Sequence, residues 1–270
     1  MDYALRIGHS GPPTFEPGNV FIVLAGQSNA HGVGLINDVN ETPLDVDAEL
    51  WAFAQNSFER VFIWTGNVFV NLELGINNGG LNPPPGSGTR FGPEFGLAVR
   101  WMRETAEGNL YLMKLGTSGA SITAYEPNAG FNSYSVLRDD INQAEVAFTS
   151  GSITIASRAF IWVQGETDRL ETQSWYQTRL EEMLTEAYAD EWFSNTSPQI
   201  LFQMATESTL YGAGVAAAKV AVAANAPDYI KTTPSPNYFE PDNYHQNARG
   251  QVQMGYNAFS LIFNRATIEV

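Results

Sequence analysis

A serine hydroxyl becomes a nucleophile when a base takes its proton, and that base is most often a histidine held by a carboxylate. The chain has three histidines, His9, His31 and His245, and no cysteine, so the search for such a set is short. Ser28 follows the apolar run Val20–Ala25 in the block Gly26-Gln27-Ser28-Asn29. His9 lies in a Pro/Gly-rich leader that offers no rigid support, and His31 needs a tight local turn to reach back to Ser28. His245 closes Asp242-Asn243-Tyr244-His245, a spacing in which one turn of chain sets the Asp242 carboxylate against the imidazole. Each reading has a plainer one beside it. Ser28 could cap a following helix, and Asp-x-x-His also arises by chance. The serine block is not a G-x-S-x-G nucleophile elbow, because Ala30 stands where the second glycine belongs.

Two further blocks follow apolar runs. Lys114-Leu-Gly116-Thr-Ser-Gly119-Ala120-Ser121-Ile122 is a Gly-containing turn that can present backbone N–H groups to an anion. It lacks the Lys-Ser/Thr ending of a phosphate loop, and no G-x-G-x-x-G occurs, which argues against nucleotide binding. Trp162-Val163-Gln164-Gly165-Glu166-Thr167-Asp168 puts a carboxamide at a strand exit. Gln164 can offer an N–H to a developing oxyanion, or it can bond backbone while Thr167 or Asp168 caps a helix. Glu166 and Asp168 raise a two-carboxylate glycosidase reading, which ranks low because carboxylates two apart in a turn diverge.

The elements that must position these blocks are legible from periodicity. Continuous apolar runs at Val20–Ala25, Asn109–Leu115, Arg158–Gln164 and Gln199–Met204 predict strands buried on both faces. A weaker strand is predicted at Asp228–Thr232, with Leu50–Ala54 a further candidate. Three-and-four spacing predicts helices over Glu94–Thr105, Ser135–Phe148, Ser174–Phe193, Ala213–Ala224 and Asn247–Arg265. Strands alternating with such helices mean a parallel sheet covered on both sides, an α/β fold. In such sheets ligands bind beyond the carboxyl ends of the strands, where all four blocks fall. Asn71–Gly92 and Thr123–Ser133 read as irregular loops. Residues 1–18 read as an extension or linker, and 19–270 as one domain.

Composition narrows the function classes. The chain has 270 residues, 44% of them hydrophobic, and 14 basic against 29 acidic residues give a net charge of −15. Only three lysines occur, and they do not cluster, which argues against nucleic acid or an anionic membrane as partner. The absence of cysteine and scarcity of histidine remove disulfides, thiolate catalysis and the commonest zinc sites. No metal or cofactor is expected. No apolar run has the length of a signal-peptide core or a membrane span, and neither localisation nor oligomeric state is legible.

Taken in order, Ser, Gly, Gln and Asp-x-x-His at successive strand ends resemble the SGNH hydrolase superfamily, specifically its sialate O-acetylesterase-like carbohydrate esterase branch. Gly26-Gln27-Ser28-Asn29 matches its G-Q-S-N block, Gly119-Ala120-Ser121-Ile122 its Gly-rich turn, and Trp162 through Asp168 its W-x-Q-G-E-x-D block. Asp242 and His245 match its D-x-x-H block, and Gly92-Pro93-Glu94 also looks like a family feature. The resemblance implies a three-layer α/β/α sandwich with a five-stranded, mostly parallel, flavodoxin-like sheet. It implies Ser28 as nucleophile, His245 as general base and acid, and Asp242 as its orienter. The Ser28 N–H, the Gly119 N–H and the Gln164 side chain would form the oxyanion hole. Departures are Ala30-His31 after G-Q-S-N, Ser118-Gly119 in place of a Gly pair, and Tyr125 near a position where relatives often carry Trp. The second departure leaves Gly116 as a rival to Gly119.

The implied activity is removal of O-acetyl groups from a carbohydrate through an acetyl-enzyme. Trp64, Tyr125, Tyr134, Tyr211 and Tyr238 are candidates to stack on sugar rings, or to fill core and loop packing. The net charge favours a neutral acetylated polysaccharide first and sialic acid esters second, unless a local cation such as Arg90 offsets it. The competing readings are a general short-chain or aryl esterase and a non-catalytic carbohydrate-binding or structural module.

Overall fold

The computed structural model describes residues 18–35, 57–81, 87–128, 130 and 132–268. Its centre is β1 (Val20–Gly26), whose seven residues are all buried. Val20, Ile22 and Leu24 face one core, and Phe21, Val23 and Ala25 the other, the two-sided burial its unbroken apolar run predicts. The short helical turn α1 (Ser28–His31) follows it, then β2 (Gly34–Leu35). Next come β3 (Val61–Trp64), β4 (Phe69–Asn71), β5 (Arg90–Phe91) and α2 (Pro93–Glu104). The order continues with β6 (Leu110–Gly116), α3 (Ser133–Ser150), β7 (Ser157–Val163) and α4 (Gln173–Ala189). It ends with β8 (Gln199–Gln203), α5 (Ala213–Asn225), β9 (Ile230–Pro234) and α6 (Ala248–Ile262).

Among the described residues, seven strands form one sheet in the order β4-β3-β6-β1-β7-β8-β9. All neighbours pair in parallel except β4, which runs antiparallel to β3 at the edge. Helices α2 and α6 contribute Phe95, Val99, Val252 and Phe259 to the core on one face. Helices α3, α4 and α5 contribute Leu137, Ile141, Leu180, Met183 and Val215 to the other. The result is the expected α/β/α layering.

The sheet has seven strands where five were expected. The sixth parallel strand is Val61–Trp64, and the hairpin strand Phe69–Asn71 pairs with it. Four-residue and three-residue runs with partly buried edges lack the length from which the other strands were read. Leu50–Ala54 and all of the 1–18 extension but its last residue lie outside the described residues. Asn71–Gly92 is not wholly irregular, since it contains the end of β4 and all of β5, which pairs with β2.

Register places the functional blocks. Gly26 of β1 lies beside Gly116 of β6 on one side and Val163 of β7 on the other. The serine, glycine and glutamine blocks therefore leave the sheet from one level, at its centre. Here chain order reverses about β1, which is where ligands gather in open α/β sheets. The fourth block arrives between β9 and α6. Helix α6 starts sharply because the Asn247 side chain accepts from the Gly250 N–H at 3.0 Å, an N-cap bond. The cap anchors the chain two residues after His245.

Candidate active site

Gln27 is the cap residue of α1, so Ser28 is its first helical residue and does not cap it. The Ser28 hydroxyl instead meets His245, with Oγ 2.9 Å from Nε2. His245 Nδ1 lies 2.6 Å from Asp242 Oδ2. A carboxylate can only accept, so Nδ1 carries the proton and Nε2 is left to accept from Ser28. Asp242 Oδ1 accepts the backbone N–H groups of Tyr244 at 3.0 Å and His245 at 2.9 Å. Desolvation pushes the Asp242 carboxyl upward, but the His245 and Tyr244 N–H groups and the imidazole outweigh it and hold its pKa below the usual value. An ionised, acceptor-only group thus faces the imidazole.

Among the described residues, the one other histidine does not compete. Burial, reinforced by the charges of Lys114 and Arg90, lowers the His31 pKa to about 3, which makes it a weak base. His9 lies outside the described residues.

The two rival glycines have different surroundings. A Cβ on Gly116 would lie 2.2 Å from His31 N, so that glycine lets α1 pack against the strand end. Gly119 adopts φ +68 in an exposed turn with open space where a Cβ would point. Gly119 is exposed where Gly116 is buried.

Gln164 sits in a denser network than its sequence block announces. Its Nε2 donates to Asp168 Oδ2 at 2.6 Å and to Ala120 O at 3.1 Å. Its Oε1 accepts from the Tyr176 hydroxyl at 2.6 Å, and its backbone carbonyl accepts from Lys219 Nζ. Asp168 Oδ2 also accepts from the Ile122 N–H at 2.7 Å, and Thr167 Oγ1 donates to Gly119 O at 3.0 Å. The third block therefore grips the second. Gln27 Oε1 accepts from the Gly165 N–H at 3.2 Å, which ties the first block to the third. Glu166 and Asp168 serve these turns and do not pair across a cleft.

Several participants escaped the sequence reading. Lys219 is fully buried, and desolvation lowers its pKa to about 8 against the opposing pull of Glu166 and Asp168. Lys114 is also buried and pairs with Glu94 at 2.8 Å, while Glu94 Oε1 accepts from the Gly92 N–H at 2.8 Å. Glu94 thus ties the Gly92-Pro93-Glu94 block to strand β6. A signal existed for both lysines, since each interrupts an apolar run. Such a lysine must find acceptors inside.

Of the five aromatic candidates, Trp64, Tyr125 and Tyr134 are core residues, each at most 1% exposed. Their polar atoms are committed: Trp64 Nε1 to Asp140, the Tyr134 hydroxyl to Asp190 and the Tyr125 hydroxyl to Gly26 O. Tyr211 is exposed, and Tyr238 is half-buried beneath the Arg249 guanidinium, 4.3 Å from its ring centre.

A cleft of about 460 Å³ opens at the Asp242–His245 pair. Val33, Leu35, Arg90, Glu240 and Pro241 complete its lining. Leu35 and Arg90 are register partners in the β2–β5 ribbon. Arg90 is exposed.

An imidazole at hydrogen-bond distance from a serine, backed by an ionised carboxylate, can move a proton off that hydroxyl and return it to a leaving group. Comparisons with known proteins bear on which reaction this is. A search of curated proteins found no match. Among solved structures, the chain resembles a protein from Arabidopsis thaliana at 16% identity and a TM-score of 0.63, covering 92% of this chain and 99% of that one. It resembles a carbohydrate acetylesterase from Xanthomonas citri at 14% identity and a TM-score of 0.56, covering 92% of this chain and 57% of that one. It also resembles NanS at 12% identity and a TM-score of 0.53, covering 93% and 96%. At these identities the likeness is one of fold. The family model for carbohydrate esterases described as sialic acid-specific acetylesterase matches residues 17–263. That span takes in all four blocks and every residue of the hydrogen-bonded chain, and the protein belongs to this family of carboxylic ester hydrolases.

Proposed function

We propose that the protein is a serine esterase of the SGNH type that removes O-acetyl groups from a carbohydrate. The observation that carries this is the unbroken chain Ser28 Oγ, His245 Nε2, His245 Nδ1, Asp242 Oδ2 at the carboxyl end of a parallel sheet. In the first step Ser28 Oγ attacks the acetyl carbonyl carbon while His245 takes the hydroxyl proton. The carbonyl oxygen becomes an oxyanion held by the N–H groups of Ser28 and Gly119 and the side chain of Gln164. The C–O bond to the sugar then breaks, and the sugar oxygen leaves with the proton from His245. Water attacks the acetyl-enzyme with His245 again as base, and acetate departs.

Gln164 enters this scheme with both N–H bonds engaged. The longer one, on the partly exposed Ala120 carbonyl, is the one to be exchanged for the oxyanion. Gln164→Ala is expected to lose about 10²–10³-fold in kcat with little change in KM, the usual cost of one oxyanion donor. Steady-state kinetics check this, and normal turnover would remove Gln164 from the mechanism.

The cleft also speaks to the substrate. Arg90 lies on its wall without an ion-pair partner among the described residues. A guanidinium there favours a sugar carrying a carboxylate, ahead of the neutral polysaccharide that net charge alone suggested. Arg90→Ala should raise KM for an acidic acetylated sugar by about 10-fold, in line with one charge-assisted hydrogen-bond pair, and leave 4-nitrophenyl acetate hydrolysis unchanged. Equal KM values for the acidic sugar in both proteins would return the choice to neutral glycans.

A further inference from the structure

Ser28 opens α1 and His245 belongs to the loop before α6, and neither segment alone fixes the distance between them. Asn29, next to Ser28 and 3% exposed, spans the gap. Its Oδ1 accepts from the Gln246 N–H at 2.9 Å, and its Nδ2 donates to Tyr244 O at 3.1 Å. These are the two peptide groups that flank His245. A carboxamide has a donor and an acceptor side by side, so it can pair with both, much as a neighbouring strand would.

The second Nδ2 hydrogen goes to Glu166 Oε1 at 2.7 Å. That bond sets the orientation of the amide, because a flipped amide would turn its oxygen toward a carboxylate. Glu166 is itself 6% exposed and comes from the glutamine block, so one side chain joins three segments. By contrast the Asp242–His245 contact is internal to its own loop and owes nothing to Asn29.

We propose that Asn29, oriented by Glu166, is the positioning residue that sets the Ser28–His245 distance. This rests on the reading of Ser28 as nucleophile and His245 as base. Leucine has neither polar group, aspartate has no donor, and glutamine is a methylene too long. Asn29→Ala releases both flanking peptides, and His245 drifts relative to Ser28 with its Asp242 contact intact.

The test is 4-nitrophenyl acetate kinetics on the wild type, Asn29→Ala and Ser28→Ala, with thermal melts to establish folding. Asn29→Ala should lower kcat about 10²-fold, the effect of a misplacement of roughly 1 Å, with KM within about 3-fold of wild type. A folded Asn29→Ala protein with wild-type kcat beside an inactive Ser28→Ala overturns the positioning role alone. Ser28→Ala as active as wild type overturns the underlying reading and the positioning role with it. Should Asn29→Ala not fold, Glu166 decides. Glu166→Ala should cost about 10-fold in kcat, because the amide it orients is freed. Glu166→Gln keeps an accepting oxygen and should restore most of that loss. Glu166→Gln as impaired as Glu166→Ala, or an unimpaired Glu166→Ala, overturns the proposal.

Discussion

His245→Ala is expected to lower kcat for acetyl ester hydrolysis by about 10⁶-fold, and the double variant Ser28→Ala, His245→Ala should be no slower than either single one. Residues of a nucleophile–base pair act as a unit, so losing one forfeits what the pair supplied. The size of the effect follows from the absence of a substitute among the described residues. With Nε2 at 2.9 Å, His245 is the base that touches the Ser28 hydroxyl. Burial and nearby cations lower the pKa of His31 to about 3, so it cannot take over. Initial rates on an activated acetate measure the loss, and additive losses in the double variant would show that the two residues do not cooperate.

Asp242→Asn should cost about 10⁴-fold in kcat, the scale of a wrong imidazole tautomer in a serine triad. The carboxylate makes two separate contributions. Oδ2 faces Nδ1 and determines which ring nitrogen holds the proton. Oδ1 receives the Tyr244 and His245 N–H groups and shapes the turn. Asparagine keeps the second through its oxygen and inverts the first through its amide donor, which favours an unprotonated Nδ1 and a protonated Nε2. A ring in that state cannot accept from Ser28. Catalysis should therefore fall while the melting temperature moves by only a few degrees, the shift about 1 kcal/mol produces. An equal collapse of both would mean that Asp242 matters for the loop and not for the proton.

What could be read from the sequence follows from where polar residues interrupt apolar runs. Gly26-Gln27-Ser28, Gly119 and Gln164 each lie just past a buried strand, and register brings those strand ends level. Strand identity and site position were thus one signal. The short strands Val61–Trp64 and Phe69–Asn71 carried too few residues for a period to show. Burial of Trp64 depends on α3, whose Asp140 takes its indole N–H, and burial of Tyr134 on the Trp192 ring stacked against it; no local pattern encodes either. The bonds of Asn29, and the one from Gln164 to Ala120, were equally hidden, because those partners lie in other segments. Lys114 and Lys219 were the exception, since a lysine inside an apolar run must find acceptors within.

The most direct test of the central claim is acetate release from an O-acetylated acidic sugar, measured on the folded wild type and Ser28→Ala side by side at pH 8. The account predicts steady release by the wild type and none above the uncatalysed rate by Ser28→Ala. Equal release by both proteins, or none by the wild type on acidic and neutral acetylated sugars alike, would contradict it.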